Sequence, residues 1–453
     1  MNAAARFATH ALATSFEDLP ADAVLKAKTF VLDSLGVGIA GTSLGGGAGL
    51  LAVASSWGAV EEAQVWGRTA RLPAPAAAFL NAWHMHNQEL DCLHDRAFVH
   101  AMASVLPAAM AAADRRGGVP GKELIVAIAV GVDVAASLGM ASRAGFRFFR
   151  PATAGGFGAV AAAGRVLGLD EGTLAGAFAW QLAQASGTMQ AHQEGSPIIP
   201  AQVGFNARSA LHACELAPLG FSPTRNVFEG EFGYLPLFEA DWDLAPALDA
   251  LGQTFLISGV SHKPYPAGRA AHAGIEGAAT LQRTHGFAAE DVDQVLVIAP
   301  RQVQRMVGRP VRPDAGPAYA RLCIGYAIAK VLQHGALDLA HFRGKALADT
   351  STHALAERVR VEADGTTGSI ALAPQRVVVR LRSGVEHEWG CETLPGCPMR
   401  PLDRERHLAK FRRCLDFAAE PLAPDAAERL IAMVDRLDEL PDTRELSALV
   451  AAW

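Results

Sequence analysis

Near residue 254 the sequence changes its beat, and that change constrains the fold more than any other feature. From residue 3 to about 260, apolar residues recur every three or four positions. "PADAVLKAKTFVLDSLGVGIAG" (20–41) begins at a proline, keeps an apolar stripe and ends in glycine, as an amphipathic helix does. "AAAFLNAWHMHNQ", "VLPAAMAAADRRGG", "GKELIVAIAVGVDVAASLGM" and "DEGTLAGAFAWQLAQASGTMQ" read the same way. Several are apolar nearly all round, which places them inside a helical array. Beyond 254, "TFLISGV", "DVDQVLVIAP" (291–300), "ERVRVEAD" (357–364) and "QRVVVRLRSGVEHEWGC" (375–391) alternate apolar with polar residues and are rich in β-branched side chains, the pattern of strands. "PAYARLCIGYAIAKVLQHG" between them predicts a helix, and helical periodicity returns after "LPGCPMRPLD". The expected fold is mainly α: a large helical domain (1–260 plus 399–453) with an inserted α+β lid domain (261–398).

Composition agrees with close helix packing. Half the residues are apolar but only 7% are aromatic, the excess lying in small and aliphatic residues. The net charge of -6 comes without a long basic block, so no nucleic-acid partner is expected. "LIVAIAVGVDVAAS" (124–137) is interrupted by Asp133 and reads as too short for a membrane span. With a polar, soon acidic N-terminus, the expected location is cytoplasmic, with no membrane association. Six dispersed cysteines without a C-x-x-C pair predict reduced thiols and no zinc ribbon.

Two short motifs invite functional readings that their surroundings undercut. "GTSLG" (41–45) has the spacing of a nucleophile elbow around Ser43, but a helix precedes it where a strand is required. "GGFGAVAAAG" (155–164) resembles a dinucleotide loop, yet no buried strand leads into it; small residues at a close helix crossing account for it better.

Three polar stretches carry more. "HMHNQELDCLHDRAFVH" (84–100) holds four histidines and three acids between apolar helices, so part of it should line an internal cleft suited to proton transfer. His84 and His86 fall on different helix faces, and no metal is expected. "SHKPYPAGRAAH" (261–272) projects Lys263, Tyr265, Arg269 and His272 from a proline-stiffened turn at the domain junction, a preferred place for ligands. "TMQAHQEGSPIIPAQVGFNARSA" (188–210) offers His192, Glu194 and Ser196, and reads by itself as a helix-to-helix loop.

Together these stretches resemble the MmgE/PrpD family of dehydratases, decarboxylases and epimerases of small organic acids. The likeness runs nearly end to end through "LPADAVLKAKTFVLDSLGVGIAGT", "FLNAWHMHNQELDCLHDRAFVHAMASVLPA", "RPATAGGFGAVAAAGRVLGLD", "ASGTMQAHQEGS" and "KPYPAGRAAHAGIEGA". The resemblance implies a homodimer and cofactor-independent lyase chemistry, of dehydratase or decarboxylase type, next to a carboxylate. It makes His100 the general base or acid and Glu89 or Asp91 its partner. Lys263 and Arg150 would hold the carboxylate, Tyr265 and His272 would serve as second proton donor or positioning groups, and Ser196, His192 and Arg269 would contact substrate. Several family positions differ here: Cys92, Leu93, Arg150, Ile199, Gln202 and Gly268 replace an acid, a threonine, a histidine, a lysine and two further histidines. These changes point to an acid less charged or differently held than a tricarboxylate. An isomerase or epimerase, a catalytically inactive ligand-binding relative and a serine hydrolase using Ser43 stand as alternatives.

Overall fold

A computed structural model describes residues 1–365 and 371–453. It is mainly α with a small α+β portion. Helices Ala74–His86, Ala101–Arg116, Gly121–Ala141, Arg150–Leu167 and Ile199–Leu216 pack on one another at the centre of the helical portion. Small residues bring the axes together. A Cβ on Gly131 would fall 2.8 Å from the Gly158 carbonyl oxygen, and one on Gly158 would fall 2.4 Å from that of Gly131. The glycine-rich stretch at 155–164 is therefore a helix crossing, and a side chain at either position would force two backbones apart. Ser43 lies just past the end of helix Ala21–Gly41 and donates its hydroxyl to the Ala40 carbonyl, a helix terminus rather than an elbow.

Two readings of the sequence change. Asp133 does not interrupt its helix, which runs 21 residues from Gly121 to Ala141. The carboxylate is buried but accepts from His10 Nε2 (2.8 Å) and from the Leu256 amide (2.6 Å), so its lone pairs are met. This helix is long and apolar enough to cross a bilayer, yet 94% of its most apolar window is buried within the protein. "TFLISGV" forms a 3-10 turn, Leu256–Gly259, followed by the two-residue strand Val260–Ser261.

In the α+β portion, strands run in the order Val359–Ala363, Val292–Ala299, Gln375–Leu381, Glu386–Cys391; the first pair is parallel and the others antiparallel. Period-two alternation turns Val295, Val297, Val377 and Val379 inward. Helix His272–His285 covers that face, where Gly277 lets the backbone approach Trp389 and Val377. The expected helix at 317–335 is broken at Leu322 and Cys323 into Pro317–Arg321 and Ile324–His334, Cys323 bridging to Gly308.

The buried apolar residues form two main clusters. One gathers segments from 3–260 and 411–450, the other segments from 267–394. Each borrows one residue from the other's stretch: Leu322 joins the first and Phe98 the second. All six cysteines are unpaired, and all but Cys391 are buried.

Candidate active site

Both borrowed residues line one cleft, at the seam between the two cores. The histidine-rich stretch is fastened there by a two-residue antiparallel ribbon that pairs Leu93 with Ser261 and His94 with Val260. This pairing brings residues 89–95 against 261–269. Asp95 then accepts a hydrogen bond from Ser261 Oγ (2.6 Å) and a bidentate pair from Arg269 (2.8 Å to each oxygen). Arg269 also donates to the His262 and Pro395 carbonyls, so its side chain clamps the seam while one surface touches the cleft.

Lys263 is fully buried and reaches Glu89 Oε2 at 2.8 Å, across 174 residues of sequence. Burial raises the pKa of Glu89, but Lys263 and the two nearby imidazoles outweigh it and hold it down at about 2. Glu89 is thus a carboxylate and Lys263 its counter-ion. Glu89 and Phe98 are the two non-glycine residues with positive φ among the described residues, at 51° and 52°. Both face the cleft, and strained backbone of this kind persists where the surroundings hold a side chain in a required place.

Asp91, fully buried, lies with Oδ2 2.8 Å from Nδ1 of both His86 and His100. An ionised carboxylate only accepts, so the bonded His86 carries its proton on Nδ1; His100 Nδ1 lies equally near the same oxygen but outside hydrogen-bonding geometry. His100 caps the N-terminus of helix Ala101–Arg116, whose dipole disfavours an imidazolium. Burial pushes the pKa of His100 below the ordinary histidine value, Asp91 pulls it back and Lys263 pushes it down again; the net shift is downward. His100 is therefore neutral at pH 7 and able to take a proton. The ligand atoms of His86, Asp91 and His100, and those of a second buried set, Asp33, His262 and His407, lie close enough to share a metal ion.

Arg150 starts helix Arg150–Leu167, an unfavourable place for a cation. Glu239 compensates with a bidentate pair at 2.7 Å to each oxygen, and the Ser142 hydroxyl and Ala144 carbonyl complete the cage. Nη1 has no partner, and the side chain lines the cleft. His192 lines it too, its pKa pushed down to about 4 by burial. The remaining walls are largely apolar, with Leu93, Phe98, Phe146, Phe149, Met189 and Leu322. The space inside the cleft open to a water-sized sphere is about 50 Å³.

The structure thus brings Glu89, His100, Arg150, His192, Lys263 and Arg269 to one cleft, with Asp91 directly behind His100. It places Ser196 in an adjoining compartment shared by His86 and Glu89. Tyr265 and His272 stand behind the wall: their rings are 5.5 Å apart, and His272 Nε2 donates to the Ala267 carbonyl. Sequence reasoning missed His86 as a partner of Asp91, and missed Arg321, which lines the adjoining compartment. Histidine five residues before an aspartate was the available signal for the first. His84, on the other face of its helix, is buried away from the cleft, with its pKa lowered to about 3 by burial.

Fold and cleft together describe a helical protein with a cleft lined by acidic, imidazole and cationic side chains at the junction with its α+β portion. Residues 5–247 match the MmgE/PrpD N-terminal domain and residues 265–439 the MmgE/PrpD C-terminal domain, so the chain belongs to the MmgE/PrpD family. It is 27% identical over 446 residues to the cis-aconitate decarboxylase of Mus musculus, covering 94% of this chain and 89% of that protein. The Homo sapiens cis-aconitate decarboxylase is 26% identical over 446 residues, covering 94% and 90%. The cis-aconitate decarboxylase-like protein oryM of Aspergillus oryzae is 26% identical over 463 residues, covering 96% and 94%.

Proposed function

We propose that the protein is a cofactor-independent lyase that acts beside a carboxylate of a small organic acid, by loss of CO2 or water. The observation that carries this reading is the Asp91 carboxylate set 2.8 Å from His100, with the Glu89–Lys263 pair in the same buried cleft. His100, set beside the Asp91 carboxylate, moves the proton at the reacting carbon. Loss of CO2 or abstraction of a proton leaves negative charge on that carbon and on the adjoining carboxyl group. Lys263 and Arg150 Nη1 supply donors there, in a setting dry enough for them to act strongly. Glu89 and Glu239 neutralise these cations while the site is empty, and the cations' remaining donors meet the anion that forms. The similarity to decarboxylases favours CO2 loss as the leaving step. Under this reading the protein is a soluble homodimer taking a small carboxylic acid, and its 261–398 segment serves as the lid.

Incubation with cis-aconitate, citraconate and 2-methylcitrate in deuterium oxide, followed by NMR, tests the proposal. A lyase converts one of these acids and leaves deuterium on the carbon that lost CO2, or forms a new alkene by losing water. No conversion of any acid, with binding intact, contradicts it.

A further inference from the structure

The cations of the main cleft each have an acid of their own: Lys263 has Glu89, Arg150 has Glu239 and Arg269 has Asp95. Arg321 differs. It ends the short helix Pro317–Arg321 at the break before Ile324, and it is 1% exposed. Among the described residues no carboxylate lies within ion-pair distance of it. One nitrogen donates to Gln88 Oε1 at 3.1 Å, Nε has no partner, and the guanidinium carbon lies 5.2 Å from the centre of the Phe342 ring. A neutral amide and an aromatic face are weak compensation for a buried charge, and burial with Arg343 nearby outweighs the pull of Glu89 and pushes the arginine's pKa down to about 9. Arg321 lines a second compartment, with Ser196 and Ile199, whose space open to a water-sized sphere is about 180 Å³. His86 and Glu89 line both this compartment and the main cleft.

We infer that Arg321 is a carboxylate subsite: the substrate carries at least two carboxylates, one beside the reacting carbon near His100 and a second that reaches past Glu89 to the Arg321 guanidinium. This inference rests on the lyase reading for the first carboxylate only. Glu89 does not repel the arm that passes it, because Lys263 neutralises it at 2.8 Å. The fork geometry of a guanidinium suits bidentate capture of a carboxylate, and the unpartnered Nε is the donor such a ligand would use.

Calorimetric titration of the intact protein with inert acids tests it, using glutarate, tricarballylate and butyrate. Wild type is expected to bind glutarate and tricarballylate, and Arg321→Gln to weaken both by about 10- to 100-fold, the usual worth of a charged hydrogen-bonded contact. Arg321→Lys should recover part of the loss, and butyrate binding should not change. If Arg321→Gln fails to fold by circular dichroism, Ile199→Glu takes its place: it keeps the arginine but sets an acid in the same compartment, and should cause the same loss. Unchanged glutarate affinity in the folded variant, an equal loss for butyrate, or wild type that binds neither dianion nor trianion overturns the subsite. Binding that depends on Arg321 without turnover of any acid would instead remove the lyase reading and leave the subsite standing. Turnover in Arg321→Gln with unchanged KM would do the reverse.

Discussion

Two buried clusters in this protein are built from the same parts, an aspartate and two histidines, and differ in whether a lysine also meets the aspartate. Around Asp33, the Lys410 ammonium sits 2.7 Å from the carboxylate, and the rings of His262 and His407 pack 5.0 Å apart beside it. Around Asp91 no lysine is in contact among the described residues; two imidazoles lie 2.8 Å from it instead, and both reach the cleft. The permanent cation makes the first cluster a brace between the helix Ala21–Gly41, the junction at 262 and the helix Arg404–Leu415. The second cluster has no such tie and opens on the cleft. Composition alone does not separate a structural cluster from a chemical one; the counter-charge and the opening do.

The sharpest way to break the comparison is to disable each aspartate's partner. His100→Asn or Asp91→Asn should lower kcat by about 10²- to 10⁴-fold, the range for losing a general base or its orienting acid, while melting temperature moves little. Lys410→Met should do the opposite. It strands the Asp33 charge and should cost about 3–5 kcal/mol of stability by denaturant titration, with kcat of the folded fraction unchanged.

A smaller effect concerns pH. With the pKa of His100 lowered, kcat/KM should be flat near pH 7 and fall on an acid limb whose midpoint lies below about 6.5. Asp91 raises that pKa, so Asp91→Asn should shift the residual limb to still lower pH.

Acid stability gives an effect that appears only well below neutral pH. Burial lowers the pKa of His262 to about 3, so below pH 6.5 the unfolded chain takes up a proton that the folded one refuses. Stability is then full above the unfolded value and is lost as pH falls towards 3, by up to about 1.4 kcal/mol per pH unit from this group. His262→Gln should flatten the acid side of a plot of melting temperature against pH.

Helical and strand periodicity made the mainly α fold legible, because burial on one face imposes a repeat that any window of sequence shows. The site was legible where chemistry clusters locally, as in residues 84–100 and 261–272. What escaped depended on partners distant in sequence. Glu239 meets Arg150 from 89 residues away, and Asp95 meets Arg269 across 174, so the sequence could not say that these arginines already had acids. Arg321 escaped because its significance is that no carboxylate pairs with it among the described residues, which a sequence cannot display. Asp133 looked like a helix interruption for the same reason: His10, which satisfies it, is 123 residues earlier.

Deuterium incorporation by His100→Asn compared with wild type, followed by NMR on whichever acid wild type converts, tests the central assignment most directly. Loss of both conversion and label at the reacting carbon, in a variant that still binds glutarate, is the predicted result. A variant that labels and converts that acid at the wild-type rate would show that the imidazole held by Asp91 moves no proton in this cleft.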